Sequence, residues 1–513
     1  MTSILFIFVM IVAGSMIARD SANKSRQKRI KAAYVFNPEK TQASAGFAAE
    51  AEIERGGLFK GKGIRFGFSP DGKRVLRYPG SGHVLVVAAA RSGKLLTVVA
   101  TMILSLSRKV SLCLIDPKAE IISIVGKARR ACGKVAVWNP YEICLDYMKG
   151  LRQVSLNPMD DIDPHSINFW SDCWKLVSTH WDESEEKSDP HWGPSGKSLF
   201  GGIVQVLVKY GKPEERNLPT ARAILTGANG HSIHEFAREV MALNDPSLQQ
   251  IFARYAAKGA EESKEIQSFI STATTQTEFL NDPAIAGKLM RSDVSVRDLV
   301  REAGTTLAIC LPVNRLHTSK AFSLFSGWVL HITLEEGQKG RRSDCIVVID
   351  EMSLIGYSKA WQDAFALAAG AAGLKIVAIY QDVSQIMNQF GKAWPTIVQN
   401  CGLTIWFGAR DQATRDVVSK LAGETEVLSR NRSVSIDHLT GEPHVSDSAS
   451  SVVRPVIRPS EVGALASDEM LVFCEGVRGV IKAKRKPYLS EFRGRYGKNP
   501  YFKETGILSK LFE

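Results

Sequence analysis

The stretch HVLVVAAARSGKLLTVVATMILSL, residues 83–106, decides how the rest of the chain is read. An apolar, valine-rich strand runs into Arg-Ser-Gly-Lys and then into an apolar helix. A tight turn at such a junction cradles phosphate: its N–H groups and the positive helix end surround the anion, and the lysine reaches the outer phosphates. The full pattern is GxxxxGK[ST], and Gly93 and Lys94 supply its essential pair. Ala88 stands at the first glycine, which is tolerable where its φ is negative. Leu95 stands at the hydroxyl position, so the side chain that normally ligates Mg²⁺ is missing. The candidate phosphate contacts are Ala89, Ala90, Arg91, Ser92, Gly93, Lys94 and Leu95.

A second half of such a site lies far along the chain. The run CIVVIDE, residues 345–351, is an apolar strand ending in two carboxylates. Asp350 is placed to hold Mg²⁺ and Glu351 to polarise an attacking water. Gln381, after the apolar KIVAIY, occupies the end of a neighbouring strand, where a polar side chain senses the γ-phosphate. Arg410 and Arg415, in FGARDQATRD, follow another strand. Arg410 is the candidate for an arginine that stabilises transition-state charge across a subunit boundary.

Composition bounds the surroundings of this site. The 513 residues exceed one ordinary domain, and a hydrophobic content of 44% with 23% charge fits a globular chain. A net charge of +12 favours nucleic acid or anionic lipid as a neighbour. Eight scattered cysteines, without a CxxC pair, argue against zinc and against a disulfide framework and point to a reducing compartment. ILFIFVMIVAGSMIA, residues 4–18, is uncharged and precedes a basic flank, the reverse of a secretory signal. It reads as a membrane anchor with the bulk of the chain cytoplasmic.

The chain between these landmarks alternates apolar strands with helices, the pattern of a parallel α/β sheet buried on both faces. SPDGKR at residues 69–74 reads as a hairpin turn, followed by strands at HVLVVA, VSLCLID and KVAVWNP. Strand signals vanish over residues 160–276 and return at TTLAICLP, DCIVVIDE, LKIVAIYQD, GLTIWFGA and EMLVFCEG. The expected division is an anchor over 1–18, a basic linker over 19–50, and a nucleotide-binding domain over 51–159 and 277–489. An all-α insertion fills 160–276, and a basic tail covers 490–513. SRNRSVSIDHLTGEPHVSDSASS reads as a mobile hairpin or loop.

The ordered set GHVLVVAAARSGK, LIDPKAE, SLNPMDD, SDPHW, FLNDPAIA, VVIDEMSLIG, YQDVSQIMNQFGKAW and FGARDQATRDVVSKLAG resembles the TraG/TraD-type coupling proteins of type IV secretion and conjugation. The resemblance spans about residues 57–489 and includes the closing RPVIRPSEVGALASDEMLVFCEGVRGVIKAKRKPYL. It implies a membrane-anchored, RecA-like P-loop motor with an inserted all-α domain, assembled as a hexamer around a channel. It further implies ATP and Mg²⁺ as cofactors. As partners it implies single- or double-stranded DNA, a relaxase or effector protein, the secretion channel and the inner membrane. Lys94 is then the phosphate-loop lysine, Asp350 and Glu351 the Walker B pair, and Gln381 the sensor. Such loops often begin with alanine, so Ala88 is ordinary, whereas Leu95 replaces a usual glycine. The family usually has two membrane helices. Here one apolar run is present, so either it is the second span alone or the start codon is misplaced. DPKAE departs from the usual DPKGE at Ala119.

Two other functions fit parts of this pattern. A docking receptor that binds nucleotide with little hydrolysis is suggested by Leu95. A chromosome-translocating motor of the same broad class lacks support, because no winged-helix tail is visible.

Overall fold

The structure, a computed structural model, describes residues 44–181, 192–312, 314–315, 318–340, 344–367, 373–436 and 443–502, together with Lys24. The apolar run at 4–18 therefore lies outside the described residues. No helix among those described is long and apolar enough to cross a membrane.

In chain order the strands are β1 (Ile64–Phe68), β2 (Val75–Tyr78), β3 (His83–Ala88), β4 (Ser111–Ile115), β5 (Val135–Trp138), β6 (Arg152–Gln153), β7 (Thr306–Ile309), β8 (Cys345–Ile349), β9 (Leu374–Tyr380), β10 (Cys401–Phe407), β11 (Glu424–Ile436), β12 (Pro443–Pro455), β13 (Glu469–Cys474) and β14 (Ile481–Lys484). The chain divides into two units, residues 47–421 with 457–513, and residues 422–456 with those up to Gly46. The smaller unit is an antiparallel hairpin of β11 and β12, paired from Glu424 opposite Pro455 to Ile436 opposite Pro443. The polar segment read as a hairpin or loop is thus a long two-stranded ribbon. Its turn lies outside the described residues.

The larger unit carries one sheet in the order β2-β1-β14-β13-β10-β3-β9-β8-β4-β7-β5-β6. From β10 to β6 every neighbouring pair is parallel. Beyond β10 the pairs with β13, β14, β1 and β2 are antiparallel. Every residue of β3, β4, β8 and β10 is buried, which is why these strands read as continuous apolar runs rather than alternating ones. Ile115 pairs with Ile349 and Ile349 with Ala378, so β4, β8 and β9 end close to level. Asp116, Asp350 and Gln381 follow β4, β8 and β9 at this carboxyl edge. The SPDGKR turn joins β1 to β2, with Gly72 in a left-handed conformation at φ 74°.

Between β6 and β7 the chain is helical, without a strand among its described residues. Side chains fix where these helices begin. Asn217 accepts from Thr220 N–H, Asp245 from Ser247 and Leu248 N–H, and Ser232 with Glu235 forms a reciprocal capping box. Helices continue past residue 276, through Pro283–Leu289 and Asp298–Arg301, so the insertion's helical character reaches further than the sequence pattern marked.

The end of the insertion is bolted to helix Thr318–Gln338 by buried charge. Glu336 is fully buried and accepts from Arg297 Nη1 at 2.6 Å and Arg301 Nε at 3.2 Å. Removing one member of a buried ion pair strands the other, at a cost of about 3–5 kcal/mol. Glu336→Ala is therefore expected to lower unfolding stability by that order in urea titration. A loss near zero would mean that the arginines find other partners.

The basic carboxyl-terminal segment also differs from a free tail as far as Phe502. Lys482 pairs with Glu469 and Lys484 with Asp468. Gly497 N–H donates to Ile124 O at 2.7 Å, where a Cβ would meet Ser123 O at 2.2 Å. That close approach lays the segment along helix Glu120–Arg130.

Candidate active site

The loop after β3 has left-handed backbone at Arg91 (φ 60°) and Gly93 (φ 81°), and Lys94 then enters the helix. Such alternation aims successive N–H groups into one concavity, an anion nest. Gly93 is required by its φ, and Ala88 ends a strand, where a methyl group is harmless. The helix opens with a π-turn at Leu95–Val99, in which Ala100 N–H reaches Leu95 O. Leu95 is half-buried, and its side chain packs against the hydrophobic core. Thr97 offers a nearby hydroxyl, but it donates to Gly93 O at 2.9 Å and accepts from Arg485 at 3.0 Å. Ser92 Oγ is buried with no hydrogen-bond partner among the described residues. An unsatisfied buried hydroxyl costs about 1–3 kcal/mol, so it fits a loop completed by a phosphate oxygen.

Asp350 and Glu351 follow β8, beside β9 and the Gln381 that follows it. Gln381 Nε2 donates to Glu351 Oε2 at 2.7 Å, and Ser353 Oγ donates to Oε1 at 2.7 Å. Gln381 is itself fixed, because Gln385 Oε1 accepts from its backbone N–H at 2.8 Å. The structure thus brings together the loop, Asp350, Glu351 and Gln381 at adjacent strand ends. Arg410 lies exposed just beyond β10 at the same edge.

One carboxylate escaped the sequence reading. Asp116, after β4, is fully buried and accepts from Glu120 N–H at 3.2 Å and Ile122 N–H at 2.9 Å. Burial and the neighbouring Asp350 push its carboxyl up to about 7. Asp350 is pushed up to about 6 by burial, against the opposing pull of Lys94, with Glu351 adding to the rise. Two acidic groups so close, opposed chiefly by one lysine, are the donor chemistry of a hard dication such as Mg²⁺. Asp350 would hold it, with Asp116 behind.

The raised values have a sign for stability. The fold keeps both protons to higher pH than the unfolded chain, so this contribution is complete below about pH 4 and is lost as pH rises through 6–7. Asp350→Asn removes one such group. In nucleotide-free protein with chelator, its stability relative to wild type is expected to be about 2 kcal/mol more favourable at pH 8 than at pH 4. A pH-independent difference in urea midpoints would contradict this.

The model of the type IV secretory system conjugative DNA transfer family matches residues 17–507. The chain belongs to that family. It is similar to a conjugal transfer protein TraG of Escherichia coli, 22% identical over 463 residues, covering 85% of this chain and 69% of that protein. A TraG of Agrobacterium fabrum is 26% identical over 422 residues, covering 77% and 59% respectively. Among solved structures, the bacterial conjugative coupling protein TrwBdeltaN70 superposes with a TM-score of 0.62 at 18% identity, over 87% of this chain and 94% of that one. TrwB in complex with ADP and Mg²⁺ superposes at 0.60 over 86% and 94%, again at 18% identity. These likenesses place the parallel-dominated α/β sheet of this conjugative DNA transfer family member in the TrwB fold.

Proposed function

We propose that the chain is a nucleotide-driven coupling ATPase of conjugative DNA transfer. The observation that carries this is the Gln381–Glu351 hydrogen bond at the same sheet edge as a left-handed, lysine-terminated phosphate loop. Family membership and the nucleotide complexes of TrwB support it. Lys94 and the loop N–H groups would bind the β- and γ-phosphates. Glu351, oriented through both oxygens, would take a proton from the attacking water. Gln381 would couple the γ-phosphate's presence to that carboxylate. Mg²⁺, when bound, neutralises phosphate charge, and Asp350 would hold it.

Finer features belong to the same proposal. Residues 4–18 would anchor the chain in the inner membrane, leaving the bulk cytoplasmic. A homo-hexamer would bring Arg410 to a neighbour's nucleotide, which suits its exposure. Relaxase-bound DNA or an effector protein would be the cargo handed to the secretion channel. The test is ATP turnover of the full chain in detergent, with and without single- and double-stranded DNA. DNA-stimulated turnover supports the motor. Nucleotide binding without turnover in oligomeric protein would favour the docking-receptor reading, which the core-packed Leu95 motivates.

A further inference from the structure

Arg485 follows β14 at the far end of the chain, yet it is only 5% exposed and lies against the phosphate loop. Its Nη1 donates to Ser92 O at 3.1 Å and to Thr97 Oγ1 at 3.0 Å, on either side of the Gly93–Lys94 pair. The rest of the guanidinium is also engaged. Nε donates to Glu469 O at 3.3 Å, Nη2 donates to Ser467 O, and the group lies 3.8 Å from the centroid of Phe407. Asp468 acts on it electrostatically, but no carboxylate of a described residue makes a salt-bridge contact with it. A planar donor held by carbonyls and a ring on one side has little freedom to follow the loop.

The consequence follows from peptide geometry. In a trans peptide the C=O and the next N–H point in opposite directions. Fixing Ser92 O on Arg485 therefore fixes Gly93 N–H at the opposite edge of the same peptide plane. Gly93, at φ 81°, is the residue about which that peptide would otherwise flip most easily. We propose that Arg485 is a positioning residue that locks the Ser92–Gly93 peptide in its phosphate-binding orientation and holds a positive charge behind the loop. This rests on the nucleotide-site reading above.

A contact that serves ground state and transition state alike changes KM rather than kcat. In the full chain, Arg485→Gln is expected to raise the KM for ATP about tenfold and to weaken a fluorescent ADP analogue by the same factor. Its kcat is expected to stay within about threefold of wild type. Arg485→Lys, which keeps the charge but not the two-point bridge, is expected near threefold. Thr97→Val, which removes one bridge point while keeping the shape, is expected to raise KM about threefold and to add little to Arg485→Gln, since the two share one interaction. Thermal melting of nucleotide-free protein monitors the fold, and if Arg485→Gln does not fold, the lysine and valine variants decide. KM values within twofold of wild type in the folded variants, or a loss confined to apparent kcat that tracks the folded fraction, would overturn the assignment. A wild-type chain that neither binds nor turns over nucleotide would instead overturn the site itself.

Discussion

Lys94→Ala is expected to lower ATP turnover by about 10²–10³-fold, the scale of removing one preorganised charge contact to a developing anion. The physical reason begins with the loop. Left-handed Arg91 and Gly93 turn the chain sharply, and Lys94 then sits at the start of the helix, half-buried on the edge where β8 delivers Asp350. Its charge already pulls Asp350 back toward ionisation against burial. Without it, a triphosphate would enter beside two acidic groups, Asp350 and Asp116, with its main compensating cation gone. Affinity for a fluorescent ATP analogue is therefore expected to fall at least about tenfold as well, because the lost attraction acts in the ground state too. Lys94→Arg is not expected to restore turnover, since a planar fork does not replace a compact ammonium in a tight loop. Turnover within twofold of wild type in folded Lys94→Ala would mean that ATP is bound elsewhere.

Much of this site was legible because apolar runs mark buried parallel strands and polar residues at their ends mark the carboxyl edge. Asp350, Glu351 and Gln381 could be placed on that basis, and the Gln381–Glu351 contact follows from β8 and β9 being neighbours. Strand order was not legible. Nothing in HVLVVA says that its neighbours are β9 and β10, over 280 residues downstream. Asp116 was hidden inside a family motif, with no signal that β4 adjoins β8. Arg485 was hidden in the basic run KAKRK, where charge reads as solvated surface, while its contact to Ser92 spans 393 positions. Leu95 was legible as a departure but not its consequence. Only packing reveals that its side chain joins the core and that the hydroxyl of Thr97 is already spent on Gly93 and Arg485. Standing in for the missing Mg²⁺ ligand would therefore require the Thr97 hydroxyl to reorient away from those two partners.

Glu351→Gln separates the motor from the docking receptor most sharply. Both oxygens of Glu351 are already held, one by Gln381 and one by Ser353, so a glutamine there keeps the shape and part of the hydrogen bonding. What it loses is the capacity to take a proton from water. General-base removal costs about 10²–10⁴-fold, and turnover is expected to fall by that order while ATP affinity stays within a few-fold of wild type. Gln381→Ala, which frees one oxygen without removing the base, is expected to cost less. Combined with Glu351→Gln it should add little, because an orienting residue has nothing left to orient. If Glu351→Gln turned over ATP like wild type, the base would have to be another group. If instead Glu351→Gln lost turnover yet left DNA transfer intact in a mating assay, while Lys94→Ala abolished transfer, bound nucleotide rather than its hydrolysis would be what the chain requires. That outcome would make Leu95 the mark of a nucleotide-gated receptor rather than a tolerated departure in a motor.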